Sequence, residues 1–454
     1  MQFILFLIAN AMLFIRPAEL IAELNAVELY RYVIIACLFF SFPTVLQQWS
    51  IRFTGVPPIA ACVFWTLPMV FLSGFSHGKM ELLADTVIEF VKIVIYFLIL
   101  IALVTDTDRL RRFLRWIGIF SAVVALIAVT RYHADVATPA PKKSATAEKG
   151  KMHGTFVVDQ TRDAATGQMV DVQRMCGTGI FNDPNDFALL LVAAIPLCLC
   201  WLTDPNAALQ RLFWLGLVLV FGYALMLTYS RGGLIALMAG LAVLFQMKYG
   251  GKQTLLLGAL CFPVLMIVFA GRMTDISSQE GTGQSRIQLW SDWLMFFRQS
   301  PLFGIGMGNH EQYHKHVAHN SFIHSYGELG IIGGTLFLGA CVFALKGLYD
   351  LRTPHNSEPT ENETDAEIEL RRIHPFLMAS LTAYCVGICF LSRCYAVPTY
   401  TMLGVALAYM RMRASASDTP IFAWSRFVWP RLAGMSFAFI VAAHLFVQTM
   451  VVWR

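Results

Sequence analysis

The chain has 454 residues, of which 57% are hydrophobic and 14% charged, whereas soluble domains carry roughly 25% charged residues. That deficit excludes an ordinary soluble enzyme and indicates an integral membrane protein. The net charge of +5 is modest, and no basic block with interleaved aromatics points to a nucleic-acid partner.

In chain order, apolar segments predict an all-α polytopic membrane protein with twelve or thirteen transmembrane helices, near 1–15, 29–42, 57–75, 87–104, 113–130, 187–201, 212–228, 234–245, 255–270, 329–348, 375–391, 398–410 and 432–451. Segment 1–15 is short for a span. It has no basic n-region and no small-residue cleavage site, so a removable signal peptide is not expected. Cysteines fall mostly inside the apolar runs (Cys37, Cys62, Cys198, Cys200, Cys261, Cys341, Cys385, Cys389) and read as small buried hydrophobes. No CxxC pair occurs, which removes the usual zinc and redox signatures.

Basic residues in short loops set the orientation. Arg109, Arg111 and Arg112 follow one span, Lys248 and Lys252 a second, Arg411 and Arg413 a third, and all three clusters share one parity. Placing them in the cytoplasm puts the N-terminus inside and the loops 131–186, 229–233 and 271–327 outside. The acidic insert 358–369 is then inside, as a solvated loop. Lys142, Lys143, Lys149 and Lys151 lie in the first outer loop without opposing this, because long loops translocate regardless of charge. The organisation expected is N-terminal spans with a flexible outer loop (1–177, loop 131–177), a central catalytic region 178–349 with outer loop 271–327, an acidic cytoplasmic loop 350–374, and C-terminal spans 375–454.

The informative polar residues collect on the outer side. Asp183-Pro184-Asn185-Asp186 reads as a turn and helix start. A helix N-terminus also favours an anionic ligand, which the two aspartates oppose. In TYSRGGLIALMAG (228–240), Arg231 stands at a helix boundary. It is either a snorkelling interfacial arginine or a phosphate ligand, with the glycines letting a backbone or headgroup approach. After Arg286, Trp290, Trp293, Phe296 and Phe297 recur at helical spacing and predict an amphipathic helix lying in the membrane interface. Arg286 is then part of its polar face. Asp106-Thr107-Asp108 resembles a metal-binding DxD, but a helix cap explains it better.

Five of the eleven histidines fall between His310 and His324. His310, Glu311 and His314 match HExxH, in which two histidines one helical turn apart bind zinc and the glutamate is the base. That reading requires a continuous helix directly after the turn-rich GIGMGN. His319 is either an interfacial histidine in a capping segment or a general base near neutral pH, and Asn320 or Ser321 caps the helix that follows.

Taken together, FNDPNDFALLL (181–191), TYSRGG (228–233), SRIQLW (285–290), PLFGIGMGNH (301–310) and HNSFIHSYGELGIIGG (319–334) resemble the O-antigen ligase and polymerase superfamily (the Wzy-C, or O-antigen ligase-like, domain). The resemblance covers about 178–339. The upstream spans fit it in number and topology but carry no diagnostic motif. It implies a GT-C-like fold and a metal-independent glycosyltransferase without cofactors. Such an enzyme takes glycan from an undecaprenyl-diphosphate carrier to an acceptor hydroxyl at the periplasmic face of the bacterial inner membrane. A lipid or glycan acceptor and membrane lipids are its other partners. Carried onto matching positions, Arg231 and Arg286 bind the diphosphate and His319 activates the acceptor, with Asn185, Ser230 and Asn320 in support. Fixed guanidinium groups suit the charge that builds as a lipid diphosphate leaves.

The sequence departs from the family pattern in its long lysine-bearing loop and in His310, His314 and His316, which have no family role. It also shows no large outward C-terminal region of the kind expected of relatives that glycosylate proteins. A polymerase using the same site, a membrane zinc protease using HExxH, and a transporter or flippase stay as alternatives. The last predicts ionisable residues deep in the spans, whereas most spans here are free of charge at their middle.

Overall fold

The computed structural model describes residues 1–21, 23, 29–49, 57–76, 80–137, 152–153, 155–162, 169–204, 208–268, 282–313, 316–353, 363–417 and 428–451. The helices are α1 (Gln2–Ile15), α2 (Pro17–Leu20), α3 (Leu29–Trp49), α4 (Pro58–Ser76), α5 (Met80–Leu103), α6 (Thr107–Ala137), α7 (Pro184–Leu202), α8 (Ala208–Thr228), α9 (Arg231–Val268), α10 (Thr282–Gln299), α11 (His310–Tyr313), α12 (Ser321–Asp350), α13 (Asp365–Gly387), α14 (Val397–Ser417) and α15 (Val428–Met450). Among the described residues, eleven helices are long and apolar enough to cross a membrane, and the protein is an all-α polytopic membrane protein. Among the described residues, every apolar segment expected from the sequence lies mainly in a helix. The two near 234–245 and 255–270 fall within α9, which breaks at Gly250 (φ 77°, ψ 176°). The segment near 398–410 lies in α14, which ends in Arg411 and Arg413 and is not among the eleven.

The outer loop 131–177, expected to be flexible, contains an antiparallel three-stranded sheet, β1 (Met152–His153), β2 (Phe156–Arg162) and β3 (Met169–Met175). The β2–β3 register runs from Phe156 opposite Met175 to Arg162 opposite Met169. Residues 138–150, with Lys142, Lys143 and Lys149, and also Lys151, lie outside the described residues.

The chain divides into two compact units. The first comprises Met1–Phe39, Thr107–Ile276 and Arg352–Gly387, the second Phe40–Asp106, Ser277–Leu351 and Ile388–Arg454.

In the first unit, α7 is buried along nearly its whole length and packs against α6, α8, α9 and α13. Small residues allow this close approach, as at other membrane helix contacts. A Cβ on Gly240 would meet Ala383 and the Ala379 carbonyl, and one on Gly387 would meet Leu189. The 19 residues of α7 span roughly 28 Å at about 1.5 Å per residue, close to a hydrocarbon core of about 30 Å. Its far end carries a charged knot. Asp204 accepts from Arg111 (2.8 Å) and Arg115 (3.4 Å), Arg372 pairs with Glu369 (2.7 Å), and Arg111 reaches Glu369 (3.4 Å). The Arg115 guanidinium lies 4.5 Å from the centre of the Trp201 ring, and Lys248 sits over Phe376 of α13. Arg111 and Lys248, from two of the basic clusters, thus share one end of this unit. Glu369, read from the sequence as solvated, is paired instead.

In the second unit, α12 packs against α4, α10, α14 and α15. It starts at Ser321, within the stretch expected to be outer loop, and bends at Gly330 (φ 67°, ψ −165°). The amide of Ile331 donates to Pro301 O (2.7 Å), and a Cβ on Gly330 would collide with the Leu302 backbone. This is a place where only glycine fits. Helix α10, expected to be amphipathic, buries one face against its neighbours. Ile287, Trp293 and Phe296 are buried, and α10 rests on α12 and α15.

Candidate functional site

In the first unit, the sequence-selected residues gather at the start of α7 and α9. Asp183 caps α7 by accepting from the Asn185 (2.7 Å) and Asp186 (3.3 Å) amides, with Pro184 at the first helical position. Ser230 caps α9: its Oγ accepts from the Gly233 amide (3.2 Å) and donates to Asn185 Oδ1 (2.8 Å). Arg231 is therefore the first residue of a capped helix, where the positive end of the helix dipole adds to its own charge. Tyr229, just before this cap, holds a left-handed φ of 47°, a conformation a bulky residue keeps only when its surroundings impose it. Gly233 serves packing rather than ligand approach, because a Cβ there would meet Ala188 of α7.

The residue that sequence reasoning missed is Arg174 on β3. It is buried. Its Nε donates to Thr228 O (3.0 Å), its Nη2 to Asn185 Oδ1 (2.9 Å), and its Nη1 lies 3.5 Å from Asp159 Oδ2. One planar guanidinium thus ties the small sheet to the end of α8 and the start of α7. The alternation in MVDVQRM was its only sequence signal. Cys176 beside it is pushed up to about 12, chiefly by burial and then by the charge of Asp183, and is a protonated thiol at neutral pH.

In the second unit, Arg286 lies in the first turns of α10. One turn later, Trp290 Nε1 donates to Ala318 O (2.9 Å), so α10 is bonded to the residue next to His319. His319 itself is left-handed (φ 49°). Asn320 supplies the cap of α12, its Oδ1 accepting from the Phe322 (3.0 Å) and Ile323 (3.1 Å) amides. Ser321 does not cap. Its Oγ donates to Leu391 O (2.6 Å) and accepts from the Arg393 amide (2.8 Å). The backbone at His319 is thereby fixed by a cap on one side and a tryptophan bond on the other.

The turn GIGMGN packs onto α12. Gly304, Gly306 and Gly308 all have positive φ (67°, 95° and 76°). The amides of Ile305 and Gly306 donate to the carbonyls of Gly327 and Glu328 (both 2.9 Å). The Glu328 carboxylate accepts from the Gly308 amide (3.1 Å), and its carbonyl accepts from Ser73 Oγ (2.7 Å). The HExxH match does not produce its expected geometry among the described residues. Helix α11 has four residues, His314 lies outside the description, and His310 faces Glu328 at 3.1 Å. Tyr395, buried nearby, is held well above the usual phenol range by burial, with the Cys394 and Glu328 charges adding.

A family model, Wzy_C, described as O-antigen ligase, matches residues 215–338. No curated protein matches the chain. The O-antigen ligase domain is thus found at residues 215–338, within a multi-pass membrane protein. The matched stretch contains Arg231, Arg286 and His319. Asn185 and Arg174 precede it.

Proposed function

We propose that the protein transfers a glycan from an undecaprenyl-diphosphate carrier to an acceptor hydroxyl at the outer (periplasmic) face of the bacterial inner membrane, as a ligase of O-antigen or a related polysaccharide. What carries this reading is the family match over 215–338, which encloses an arginine at a capped helix start and a strained histidine before another. The acceptor oxygen attacks the anomeric carbon, the bond from that carbon to the diphosphate oxygen breaks, and His319 takes the hydroxyl proton. Arg231 and Arg286 bind the diphosphate and offset the negative charge on the leaving group. Asn185 and Ser230 hold the start of α9, and Asn320 holds His319. Arginine supplies the positive charge, so the transfer step itself requires no metal.

A polymerase uses the same chemistry with a second carrier-linked glycan as acceptor. The test is transfer by the protein in nanodiscs, with an undecaprenyl-diphosphate-linked glycan, acceptor lipid present or absent, read by mass spectrometry. Glycan appearing on the acceptor, and lost in His319→Ala and Arg286→Ala, is the expected result. Lengthening on the carrier without acceptor reassigns the protein as a polymerase. No transfer by folded protein with any donor overturns both.

A further inference from the structure

One buried cluster in the second unit takes no part in that chemistry. His310 opens α11, while His324 and Glu328 lie one turn apart on α12. One donor atom from each lies within 4.8 Å of the other two. His324 Nε2 is 3.1 Å from Glu328 Oε2, and His310 Nδ1 is 3.1 Å from Oε1. We propose that His310, His324 and Glu328 form a binding site for a divalent transition-metal ion, zinc by donor chemistry, that braces the Gly304–Gly308 turn against α12.

His324 Nδ1 lies 3.0 Å from Ser392 Oγ. In the tautomer whose Nδ1–H donates there, Nε2 presents its lone pair toward a carboxylate oxygen. Two lone pairs at 3.1 Å repel unless a cation sits between them. Glu328 Oε2 is buried, as is the Tyr395 hydroxyl, whose ring stands edge-on to His324 at 5.9 Å.

The surroundings fit a ligand set. Metal-bound histidines donate their other ring N–H to an oxygen, which fixes the ring, and Ser392 is placed to accept it. Trp293 stacks on the His324 ring at 4.4 Å and holds its plane. Bonds of about 2.0–2.1 Å to zinc put neighbouring ligand atoms roughly 3.4 Å apart. The two histidine–carboxylate separations are already near that value, and small rotations bring the histidines together. Two imidazoles and one carboxylate select zinc and its neighbours over magnesium or calcium, which take oxygen ligands. His310, the first histidine of the sequence's HExxH, thus meets partners on α12.

The test uses full-length protein in nanodiscs, stripped with chelator and titrated with Co²⁺ and Zn²⁺. Expected are one ion per chain by elemental analysis and a visible cobalt band of nitrogen-ligated type. Both should be lost in His310→Ala and His324→Ala and kept in His316→Ala. Ser392→Ala, which leaves every ligand in place, should weaken binding about 10–100-fold. Zinc should raise the melting temperature of the native protein and leave that of His324→Ala unchanged. The proposal falls if monodisperse native protein takes up no stoichiometric ion, a result that needs no variant to fold. It falls equally if His310→Ala and His324→Ala bind as the native protein does. Glycan transfer enters none of these readouts, so their failure is separate from failure of the transferase reading.

Discussion

At the scale of single residues, Arg174 decides how the start of α9 is held. Its three nitrogens hold Thr228 O, Asn185 and Asp159, and Asn185 in turn accepts from the Ser230 cap. Truncation would strand the Thr228 carbonyl and half of Asn185's bonding in a buried place. Hydrogen bonds to charged groups are worth about 1.5–3 kcal/mol each. Arg174→Ala should therefore cost roughly 2–4 kcal/mol of unfolding free energy in detergent and lower glycan transfer. Arg174→Lys should recover little of either, because a single ammonium cannot span three acceptors in one plane. The same logic separates the two proposed diphosphate ligands from mere positive charge. Arg231→Ala and Arg286→Ala should each reduce the turnover rate by about 10²–10³-fold. If the lysine variants restored full turnover, bidentate binding by those arginines would be refuted.

At the scale of elements, α12 depends on its cap and its kink. Asn320→Ala removes both bonds of the cap (3.0 and 3.1 Å) and should destabilise by about 1 kcal/mol, while Asn320→Asp should be nearly neutral. Gly330→Ala is a harsher change. Its Cβ would run into the backbone of Leu302 at a φ of 67°. A drop in melting temperature larger than that of Asn320→Ala is the expected outcome. These elements also show what the sequence can and cannot reveal. Apolar runs identify the helices because burial in lipid demands them, and Asp183 and Asn320 identify helix starts because their side chains bond only nearby amides. Arg174 was not legible, since one arginine in a mixed-polarity strand looks like any solvated arginine. The meeting of His310 with Glu328 depends on three successive positive-φ glycines folding the chain back onto α12. The glycines are visible in the sequence, but the direction of the turn is not.

At the scale of the whole molecule, the question is sidedness. In the first unit, the ion-paired knot around Trp201 occupies one end of α7, and Asn185 with the Ser230 cap occupies the other. The basic end is the one the positive-inside rule assigns to the cytoplasm, and the proposed function requires Arg231 outside. Helix α12 offers an independent test in the second unit, because it is a single span from Ser321 to Asp350. His316 is exposed shortly before its start, and Asp350 is exposed at its end, paired with Lys346. The described cysteines are buried or nearly so, so with Cys261 replaced by serine the background should be low. In intact cells with a permeabilised outer membrane, His316→Cys should react with a membrane-impermeant maleimide and Asp350→Cys should react only after lysis. The reverse pattern would put His319 in the cytoplasm. There a carrier-linked glycan displayed on the outer leaflet could not reach it, and the transferase assignment would have to be given up whatever the family match.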